Sequence, residues 1–428
     1  MRIFSGKKAI KGEISVPGDK SISHRAVMLG ALADGEVKVE NFLNSGDCLS
    51  TVTAMRGLGV EVLQSGKNEL AVKGRGLKGL RRPAAGLYAG NSGTTMRLLS
   101  GMLSAQEFDT VLTGDESLSR RPMDRVILPL RKMGAEITGK DDRYPPLEIK
   151  GRKLKGAMHE LPVASAQVKS CLLLAGLYAD GTTTVAEPLL SRNHTELMLE
   201  YLGVKIRKAG NSLSLDGGQK LRAAGIRVPG DISSAAFFLV AACITKGSEL
   251  LVREVGINPT RTGLFEVLSA MGAKIILENK KTINGEPVAD VYAVGGPLKG
   301  AAIDAAMIPR LIDEIPVIAV AATQAEGETV ISGAGELRVK ETDRLAAVCS
   351  ELRKLGAEAE EKSDGLVIRG PVTLKGGRVS SYGDHRMAMA LRVAALVSEE
   401  EIIIDDVSCI DISFPGFMGK FDGLLGGH

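Results

Sequence analysis

The sequence predicts an α/β (α+β) protein of two similar domains, and three observations support this fold class. The 428 residues exceed what one ordinary hydrophobic core holds, so two domains are expected. A segment that joins an amphipathic helix, a glycine and a strand recurs about every 70 residues. Helices rich in Ala and Leu precede these segments, and they are apolar on all sides, as buried helices are.

The recurring segment predicts where helices end. Each copy closes its helix with Leu or Met and then Gly, and a strand follows at once. Glycine there adopts the left-handed conformation that ends a helix. Together with the Ala- and Leu-rich helices, the pattern predicts six units of helix, strand, helix, strand and strand. The helix-ending glycines are Gly59, Gly134, Gly203, Gly272 and Gly356.

The domain boundaries follow from the sixth unit, which lacks its last strands after "FPGFMGKFDGLL". The N-terminal "MRIFSGKKAIKGEISV" contains two strand-like pieces and no helix, so we expect it to complete that unit. The predicted domains are 1–18 with 228–428, and 19–227. The chain then crosses between domains at "VPGDKS" and "VPGDIS", which predicts a cleft that closes on its ligand.

Composition excludes several classes of function. A net charge of +3 and an aromatic content of 4% without Trp argue against a nucleic-acid partner. The five cysteines are widely spaced in apolar runs, which indicates buried free thiols in a reducing compartment. The five histidines are scattered and lack metal-ligand spacing, so no metal is expected. Without an apolar stretch of membrane length or a targeting segment, we expect a cytoplasmic monomer with no membrane partner.

Polar residues at the starts of the apolar helices predict anion binding in the N-terminal half. In "PGDKSISHR", Lys20, Ser21 and Arg25 surround a helix amino end, where unpaired N–H groups attract anions. A simple helix cap is the alternative for this stretch. His24 in the same stretch is interpreted as a structural residue. "AGNSGTTMR" brings a glycine turn into the next helix, but it lacks the Gly-Lys-Ser/Thr ending of an ATP-binding loop.

Three further stretches of this half fit the same interpretation. "ESLSRRPMDR" clusters arginines, whose forked donors suit phosphate or carboxylate, although a solvated run is equally compatible. "PVASAQVKS" and "LLSRNHTE" place serines at other helix starts. The arginines are Arg120, Arg121 and Arg125, one of which would engage a ligand, and the serines are Ser165 and Ser191.

The C-terminal half adds carboxylates and cations at its helix starts. Asp313 precedes an apolar helix, where it is either a cap or a functional group. "ELRVKETDR" holds Lys340, Glu341 and Arg344, and Lys340 and Arg344 would share a helix face if the helix has already begun. "SYGDHRMAMA" sets Arg386 at another helix start. The joint pattern predicts two small polyanionic ligands bound where the domains face each other.

At these motifs the sequence resembles the 5-enolpyruvylshikimate-3-phosphate (EPSP) synthase family. The motifs that carry the resemblance run nearly end to end in the family's order: "PGDKSISHRA", "GNSGTTMRLL", "SRRPM", "PVASAQVKS", "VKETDR", "GDHRMAMA" and "SFPGF". The "PVASAQVKSCLLLAGL" wording is closer to the bacterial class II branch. The resemblance implies two domains of three βαβαββ units each, with buried parallel helices and the active site in the interdomain cleft.

The resemblance also implies the chemistry. Enolpyruvyl transfer joins phosphoenolpyruvate to the 5-hydroxyl of shikimate 3-phosphate through a tetrahedral intermediate and releases phosphate, without a cofactor. It requires an acid, a base and fixed cations. The implied catalytic residues are Asp313, Lys340 and Glu341. The implied shikimate 3-phosphate ligands are Lys20, Ser21, Arg25, Ser165, Gln167, Ser191, Asp313 and Lys340. The implied phosphoenolpyruvate ligands are Lys20, Asn91, Gly93, Arg121, Gln167, Arg344, His385 and Arg386.

Three positions depart from the family pattern. Ala166 stands where many members have a second serine, Glu336 where some have asparagine, and Ile412 where some have lysine. One phosphate donor and one cation are therefore expected to be absent, and Glu336 is expected to turn away from the ligands.

Two other functions were weighed. UDP-N-acetylglucosamine enolpyruvyltransferases share the fold and the donor, but they carry a lysine–asparagine pair at the first helix and a reactive cysteine before an Arg-Pro. Here the pair is Lys20–Ser21, and "TGDESLSRRP" contains no cysteine. A non-catalytic anion-binding protein on the same fold would lack Asp313, Lys340 or Glu341, and all three are present.

Overall fold

The computed structural model describes residues 1–3 and 9–426. Its chain divides into two compact units. The one here called the discontinuous unit comprises Met1–Pro17, Pro229–Thr282 and Pro287–His428, and the inserted unit comprises Gly18–Val228 and Ile283–Glu286. The predicted boundaries differ from these by one residue at each crossing and by residues 283–286. Residues 4–8 of the predicted N-terminal strand segment lie outside the described residues.

The described residues form 13 α-helices. They are α1 Lys20–Leu32, α2 Gly46–Gly57, α3 Gly93–Leu103, α4 Glu116–Ser119, α5 Asp124–Lys132, α6 Ala166–Gly176, α7 His194–Tyr201, α8 Ile232–Ile244, α9 Gly263–Ala270, α10 Ile315–Thr323, α11 Arg344–Lys354, α12 His385–Val397 and α13 Phe417–Gly426. Short 3-10 helices lie at Ile308–Arg310, Gly335–Val339 and Ser408–Ile412.

The strands of the described residues are mostly short. They are β1 Arg2–Ile3, β2 Lys11–Ser15, β3 Ala33–Asp34, β4 Glu36–Glu40, β5 Glu61–Gly66, β6 Glu69–Lys73, β7 Leu87–Tyr88, β8 Asp109–Thr113, β9 Glu136–Lys140, β10 Tyr144–Lys150, β11 Met158–Glu160, β12 Thr182–Ala186, β13 Ile206–Ala209, β14 Ser212–Asp216, β15 Leu221–Arg222, β16 Ile226–Arg227, β17 Glu249–Gly256, β18 Lys274–Ile283, β19 Glu286–Val294, β20 Leu298–Lys299, β21 Ala302–Ile303, β22 Ala325–Ile331, β23 Glu358–Lys362, β24 Gly365–Gly370, β25 Gly377–Val379 and β26 Ile402–Ile404.

Three four-stranded sheets build the inserted unit, in the orders β16-β4-β6-β5, β7-β8-β10-β9 and β11-β12-β14-β13. In each sheet the first strand runs parallel to the second, and the other neighbours are antiparallel. Each therefore belongs to one βαβαββ unit. The first unit takes its leading strand, β16, from the far end of the inserted chain.

The discontinuous unit has a four-stranded sheet β18-β19-β17-β2, a five-stranded sheet β20-β22-β24-β23 in which β21 also pairs with β22, and a three-stranded sheet β1-β26-β25. The prediction that the N-terminal strands complete the last unit is correct for β1, which pairs with β26. It is wrong for β2, which instead pairs in parallel with β17 of the fourth unit. Strand partners are non-local, so the local pattern that identifies β2 as a strand does not identify its neighbour.

Each unit has its own hydrophobic core of buried residues, built around its Ala- and Leu-rich helices. These helices are α1, α3 and α6 in the inserted unit and α8, α10 and α12 in the discontinuous unit. The predicted helix-ending glycines all have a left-handed φ between 83° and 96°. The fold class predicted from the repeats is confirmed.

Polar side chains cap five of these six buried helices. An oxygen of the capping side chain accepts a hydrogen bond from an N–H of the first helical turn, which satisfies one of the groups that a helix leaves unpaired. The caps are Asp19, Ser92, Ser165, Asp231 and Asp384. The amino ends of the buried helices are therefore polar although their bodies are not.

The cysteines match the prediction of buried free thiols, since all five are buried and unbridged. Burial raises the pKa of the Cys171 and Cys243 thiols to about 12, so neither forms a thiolate at neutral pH. None of the described helices has both the length and the apolar character needed to cross a membrane.

Candidate active site

Lys20 and Ser21 open helix α1 of the inserted unit. Asp19 caps this helix by accepting the Ile22 N–H at 2.9 Å, so the cap interpretation of "PGDKSISHR" is correct for Asp19. Lys20 Nζ lies 3.2 Å from Oδ2 of Asp47, near the start of α2. The cap and a cationic group thus occur together, and the cap interpretation does not exclude anion binding.

Arg25 lies one turn further into α1 and is buried. Its guanidinium donates to Thr195 Oγ1 at 2.6 Å, to Ser170 Oγ at 2.7 Å and to the Ser21 carbonyl at 2.9 Å. Burial lowers its pKa to about 10, and nearby Glu196 opposes this effect. Arg25 therefore remains charged at neutral pH while it ties α1 to α6 and α7.

Gln167, on the first turn of α6, joins the start of α3. Its Oε1 accepts from Arg97 Nη1 at 2.5 Å, and its Nε2 donates to Thr94 Oγ1 at 2.9 Å. Gly93 faces the same guanidinium, because a Cβ added there would lie 3.0 Å from Arg97 Nη1 and 3.8 Å from Arg121 Nη1. The glycine thus leaves space directly beside two cations.

Arg121 belongs to the same group of side chains as Gln167 and Arg97. Its Nη2 donates to Asn91 Oδ1 at 2.8 Å and to Ser117 Oγ at 3.1 Å. Asn91 in turn donates from Nδ2 to Asp115 Oδ2 at 2.9 Å. These contacts bring Asn91, Gly93, Arg121 and Gln167 together through direct neighbours, as one anion-binding group would require.

Ser191 belongs to a buried cluster around Lys169, which is 1% exposed. Lys169 Nζ lies 2.7 Å from Glu187 Oε2 and 2.8 Å from Glu196 Oε1. The Ser191 hydroxyl donates to Glu187 Oε1, so its hydrogen points at a carboxylate in this structure. Ser165, at the start of α6, accepts the Val168 N–H at 3.4 Å. That cap leaves the hydrogen of the Ser165 hydroxyl unused, so the side chain keeps a donor.

Arg344 is the centre of the second cluster, in the discontinuous unit, and is 1% exposed. It donates from Nε to Asp384 Oδ2 at 2.8 Å, from Nη2 to Glu341 Oε2 at 2.7 Å and from Nη1 to Asp313 Oδ1 at 3.4 Å. Burial opposes the charge of Arg344, but the three carboxylates outweigh burial and raise its pKa above the usual value. Its guanidinium is therefore permanently charged and fixed in orientation.

Asp313 also contacts a second guanidinium. Arg386 Nη1 donates to the Asp313 carbonyl at 3.1 Å, and its Nε lies 3.7 Å from Asp313 Oδ1. Glu314 accepts from Ser233, and its side chain does not cap α10. The alternative of a simple helix cap is therefore wrong for Glu314, which occupies the N-cap position of α10. Oδ1 of Asp313 lies between two fixed cations.

Lys340 and His385 lie next to members of this cluster in the sequence. Lys340 follows the 3-10 helix Gly335–Val339 and directly precedes Glu341. The condition for a helix face shared by Lys340 and Arg344 is not met, because Asp343 caps α11 at Ala346 N (3.1 Å) and the helix begins only at Arg344. His385 begins α12, and its Nδ1 lies 4.0 Å from Asp384 Oδ1.

Comparison with known proteins identifies the family. A family model described as EPSP synthase (3-phosphoshikimate 1-carboxyvinyltransferase) matches residues 4–421. The chain belongs to the EPSP synthase family.

Curated EPSP synthases resemble the chain over nearly its whole length. A 3-phosphoshikimate 1-carboxyvinyltransferase of Syntrophomonas wolfei is 54% identical over 425 residues, 99% of both chains. One of Brevibacillus brevis is 53% identical over 411 residues, 96% of both chains. A solved EPSP synthase structure from Acinetobacter baumannii superposes with a TM-score of 0.89 at 47% identity, covering 98% of this chain and 97% of that one.

Three residues that hold these clusters together lie outside the predicted catalytic and ligand sets. Arg97 binds Gln167, Asp384 binds Arg344, and Glu187 binds both Lys169 and Ser191. Arg97 lies four residues after Gly93, and this one-turn spacing was the available signal. Nothing in the sequence links Glu187 to its cation, because Lys169 lies on α6, 18 positions away.

The departures from the EPSP synthase pattern lie at accessible places. Ala166 is the first residue of α6, half-buried beside Ser165. Glu336 lies half-buried in the 3-10 helix before Lys340, and Ile412 ends another 3-10 helix. The expectation that Glu336 turns away from the ligands stays a prediction. Among residues 1–3 and 9–426, no group of three His, Cys, Asp or Glu side chains could hold a metal ion.

Proposed function

We propose that this chain transfers the enolpyruvyl group of phosphoenolpyruvate to the 5-hydroxyl of shikimate 3-phosphate and releases phosphate. The observation that carries the proposal is the pair of guanidinium groups, Arg344 and Arg386, fixed around Asp313 next to Lys340–Glu341. Fixed cations stabilise a transferring phosphate without reorganising during the reaction. The reaction is that of the EPSP synthase family, and these residues provide the positive and negative charges that it requires.

Shikimate 3-phosphate is the ligand we assign mainly to the inserted unit. Its phosphate suits serine donors and cations at the buried helix starts. Ser165 has a hydroxyl hydrogen left after capping, and Arg25 remains charged in spite of burial. Ser191 would have to turn its hydrogen from Glu187 to the phosphate. The full set proposed is Lys20, Ser21, Arg25, Ser165, Gln167, Ser191, Asp313 and Lys340.

Phosphoenolpyruvate carries a phosphate and a carboxylate, so it needs several cations. We assign these groups to residues of both units, because arginine forks occur in each. Gly93 leaves room beside Arg97 and Arg121 for one anionic group. The full set proposed is Lys20, Asn91, Gly93, Arg121, Gln167, Arg344, His385 and Arg386.

The reaction needs one proton delivered and one removed in each step. The 5-hydroxyl loses its proton as its oxygen attacks carbon 2 of phosphoenolpyruvate, while carbon 3 gains a proton. The tetrahedral adduct then loses phosphate, which takes up a proton as it leaves, and carbon 3 loses a proton. Asp313 would accept hydrogen bonds from the shikimate hydroxyls. Lys340 and Glu341, neighbours in the chain, would move the proton at carbon 3. Enclosing the adduct would protect it from water.

Phosphate release measured with shikimate 3-phosphate and phosphoenolpyruvate tests the proposal. We expect release that depends on both substrates and none with UDP-N-acetylglucosamine as acceptor. If phosphate were released with UDP-N-acetylglucosamine as acceptor and not with shikimate 3-phosphate, the function would be that of the sister enzymes. The absence of release with either acceptor would favour a non-catalytic anion-binding protein.

Two substitutions test the catalytic residues. Lys340→Met and Asp313→Ala should each lower turnover at least about 100-fold, the usual effect of losing an acid–base group. Lys362→Met is the control, because Lys362 pairs with Glu360 on an exposed hairpin. Unfolding by urea, followed by circular dichroism, checks that each variant is folded. Near-normal turnover in both folded variants would contradict the assigned roles.

The compartment and assembly are part of the proposal. A chain whose five cysteines are all free suits the reducing cytoplasm. We further propose that it acts as a monomer, which gel filtration with light scattering would check at working concentration.

A further inference from the structure

A tight turn at residues 380–383 leads the chain into helix α12. Tyr382 and Gly383 both have a left-handed φ, of 54° and 67°. A tyrosine rarely adopts this conformation, so neighbouring groups must hold it there. The Asp384 N–H donates to the Ser381 carbonyl at 2.9 Å, which fixes the first residue after the turn. The turn therefore determines where Asp384 lies.

Glu351 of helix α11 holds this turn from one side. Its side chain is fully buried. Oε2 accepts the Ser380 N–H at 2.9 Å, and Oε1 accepts the Tyr382 hydroxyl at 2.6 Å. Lys354 Nζ donates to both oxygens, at 2.8 and 2.9 Å, and neutralises the carboxylate. Among residues 1–3 and 9–426, the side chain of Glu351 thus bonds to the turn and to this one lysine.

Asp405, which follows β26, holds the same turn from the other side. It accepts the Ser380 hydroxyl at 2.5 Å and the Ser381 N–H at 2.8 Å. Hydrogen bonds to carboxylates are stronger than those between neutral groups. Two charged acceptors therefore compensate for the unfavourable backbone conformation of the turn.

Helix α11 contacts the entry to α12 at two points. Arg344 and Glu351 are seven residues apart, so they lie on one face of α11. Arg344 binds Asp384, while Glu351 binds the turn that precedes Asp384. A shift of the turn would move Asp384, and the guanidinium of Arg344 would lose its alignment.

We propose that Glu351 is a positioning residue for phosphoenolpyruvate, which it influences only through the turn and the Asp384–Arg344 pair. This inference rests on the proposed function. The turn sets the start of α12, and the residues that follow are His385 and Arg386, both assigned to phosphoenolpyruvate. Shikimate 3-phosphate is assigned mainly to residues of the inserted unit. Loosening the turn should therefore raise KM for phosphoenolpyruvate more than KM for shikimate 3-phosphate.

Steady-state phosphate release by Glu351→Gln tests the inference. Glutamine keeps the size but has one acceptor oxygen for two donors of the turn, so the turn loosens. We expect KM for phosphoenolpyruvate to rise about tenfold, with kcat and KM for shikimate 3-phosphate changed less than about threefold. In the reverse reaction, KM for inorganic phosphate should rise similarly. Tyr382→Phe, which removes one donor, should give a smaller rise in the same direction.

Glu360→Gln is the matched control, because it makes the same substitution at a carboxylate that pairs with Lys362 on an exposed strand. Its KM values should stay within about twofold of the unaltered chain. Unaltered KM for phosphoenolpyruvate in both Glu351→Gln and Tyr382→Phe would overturn the inference, as would equal rises for both substrates. If Glu351→Gln does not fold, the KM values of Tyr382→Phe alone test the inference. Absence of release by the unaltered chain would instead overturn the proposed function, and this inference with it.

Discussion

His24 shows how a single residue near the site can be structural. Its Nδ1 lies 2.7 Å from Thr51 Oγ1, which lies 2.7 Å from Thr95 Oγ1, and Thr95 donates to Ser92 at 2.8 Å. This buried chain joins α1, α2 and α3. Burial lowers the pKa of His24 to about 3, and Lys20 and Arg25 add to the effect. The neutral histidine holds the helix starts together, as expected from sequence.

The depressed pKa of His24 predicts how stability depends on pH. Between pH 6.5 and about 3 the unfolded chain binds a proton that the folded chain does not, so stability falls as pH drops. The slope is about 1.4 kcal/mol per pH unit. Between pH 7 and 5, the unaltered chain should lose about 2 kcal/mol more free energy of unfolding than His24→Gln.

Urea unfolding at pH 7, 6 and 5 measures this difference. His159, whose burial lowers its pKa to about 4, remains in both chains and cancels from the comparison. Parallel pH profiles of the two chains would show that His24 is protonated in the fold, against the prediction.

At the scale of elements, the Lys169 cluster joins α6 and α7 with the segment after β12. Lys169, Glu187 and Glu196 are all at most 2% exposed at the side chain. Removing the lysine leaves two buried carboxylates without their cation, which costs far more than losing a surface pair. The segment that carries Ser191 depends on the same lysine, because Lys169 also donates to the Ser191 carbonyl at 3.3 Å.

Lys169→Met should therefore lower the free energy of unfolding by about 3–5 kcal/mol. The matched control is Lys208→Met, which breaks the exposed pair with Glu200 of α7 and should cost less than about 1 kcal/mol. Urea unfolding of both variants at neutral pH gives the comparison. Equal losses in the two variants would mean that the buried cluster contributes no more than a surface ion pair.

Helix ends were more predictable than strand partners. The glycine that ends α2 or α11 acts within its own turn, so sequence places it correctly. Strand β2 was recognised but assigned to the wrong sheet, because its partner β17 lies more than 200 residues away.

At the scale of the whole molecule, the chain builds two units with separate cores from one repeated plan. The cations that we assign to the two anionic substrates occur in both units. The closure of the two domains on their ligands, expected from sequence, stays a prediction. Small-angle scattering and limited proteolysis, with and without both substrates, would measure it. We expect a smaller radius of gyration and slower cleavage with substrates, and no change on saturation would contradict the closure.

The sequence by itself determined the repeat, the helix ends and the residue types at the helix starts, because periodicity, caps and charges are local properties. The sequence also identified the family, through motifs such as "GDHRMAMA" and "VKETDR". Only the tertiary structure decided which carboxylate holds which cation. Arg344 meets Asp384 across 40 positions of chain, and Glu351 meets Tyr382 across 31. Such pairings depend on how helices pack, and no spacing along the chain encodes them.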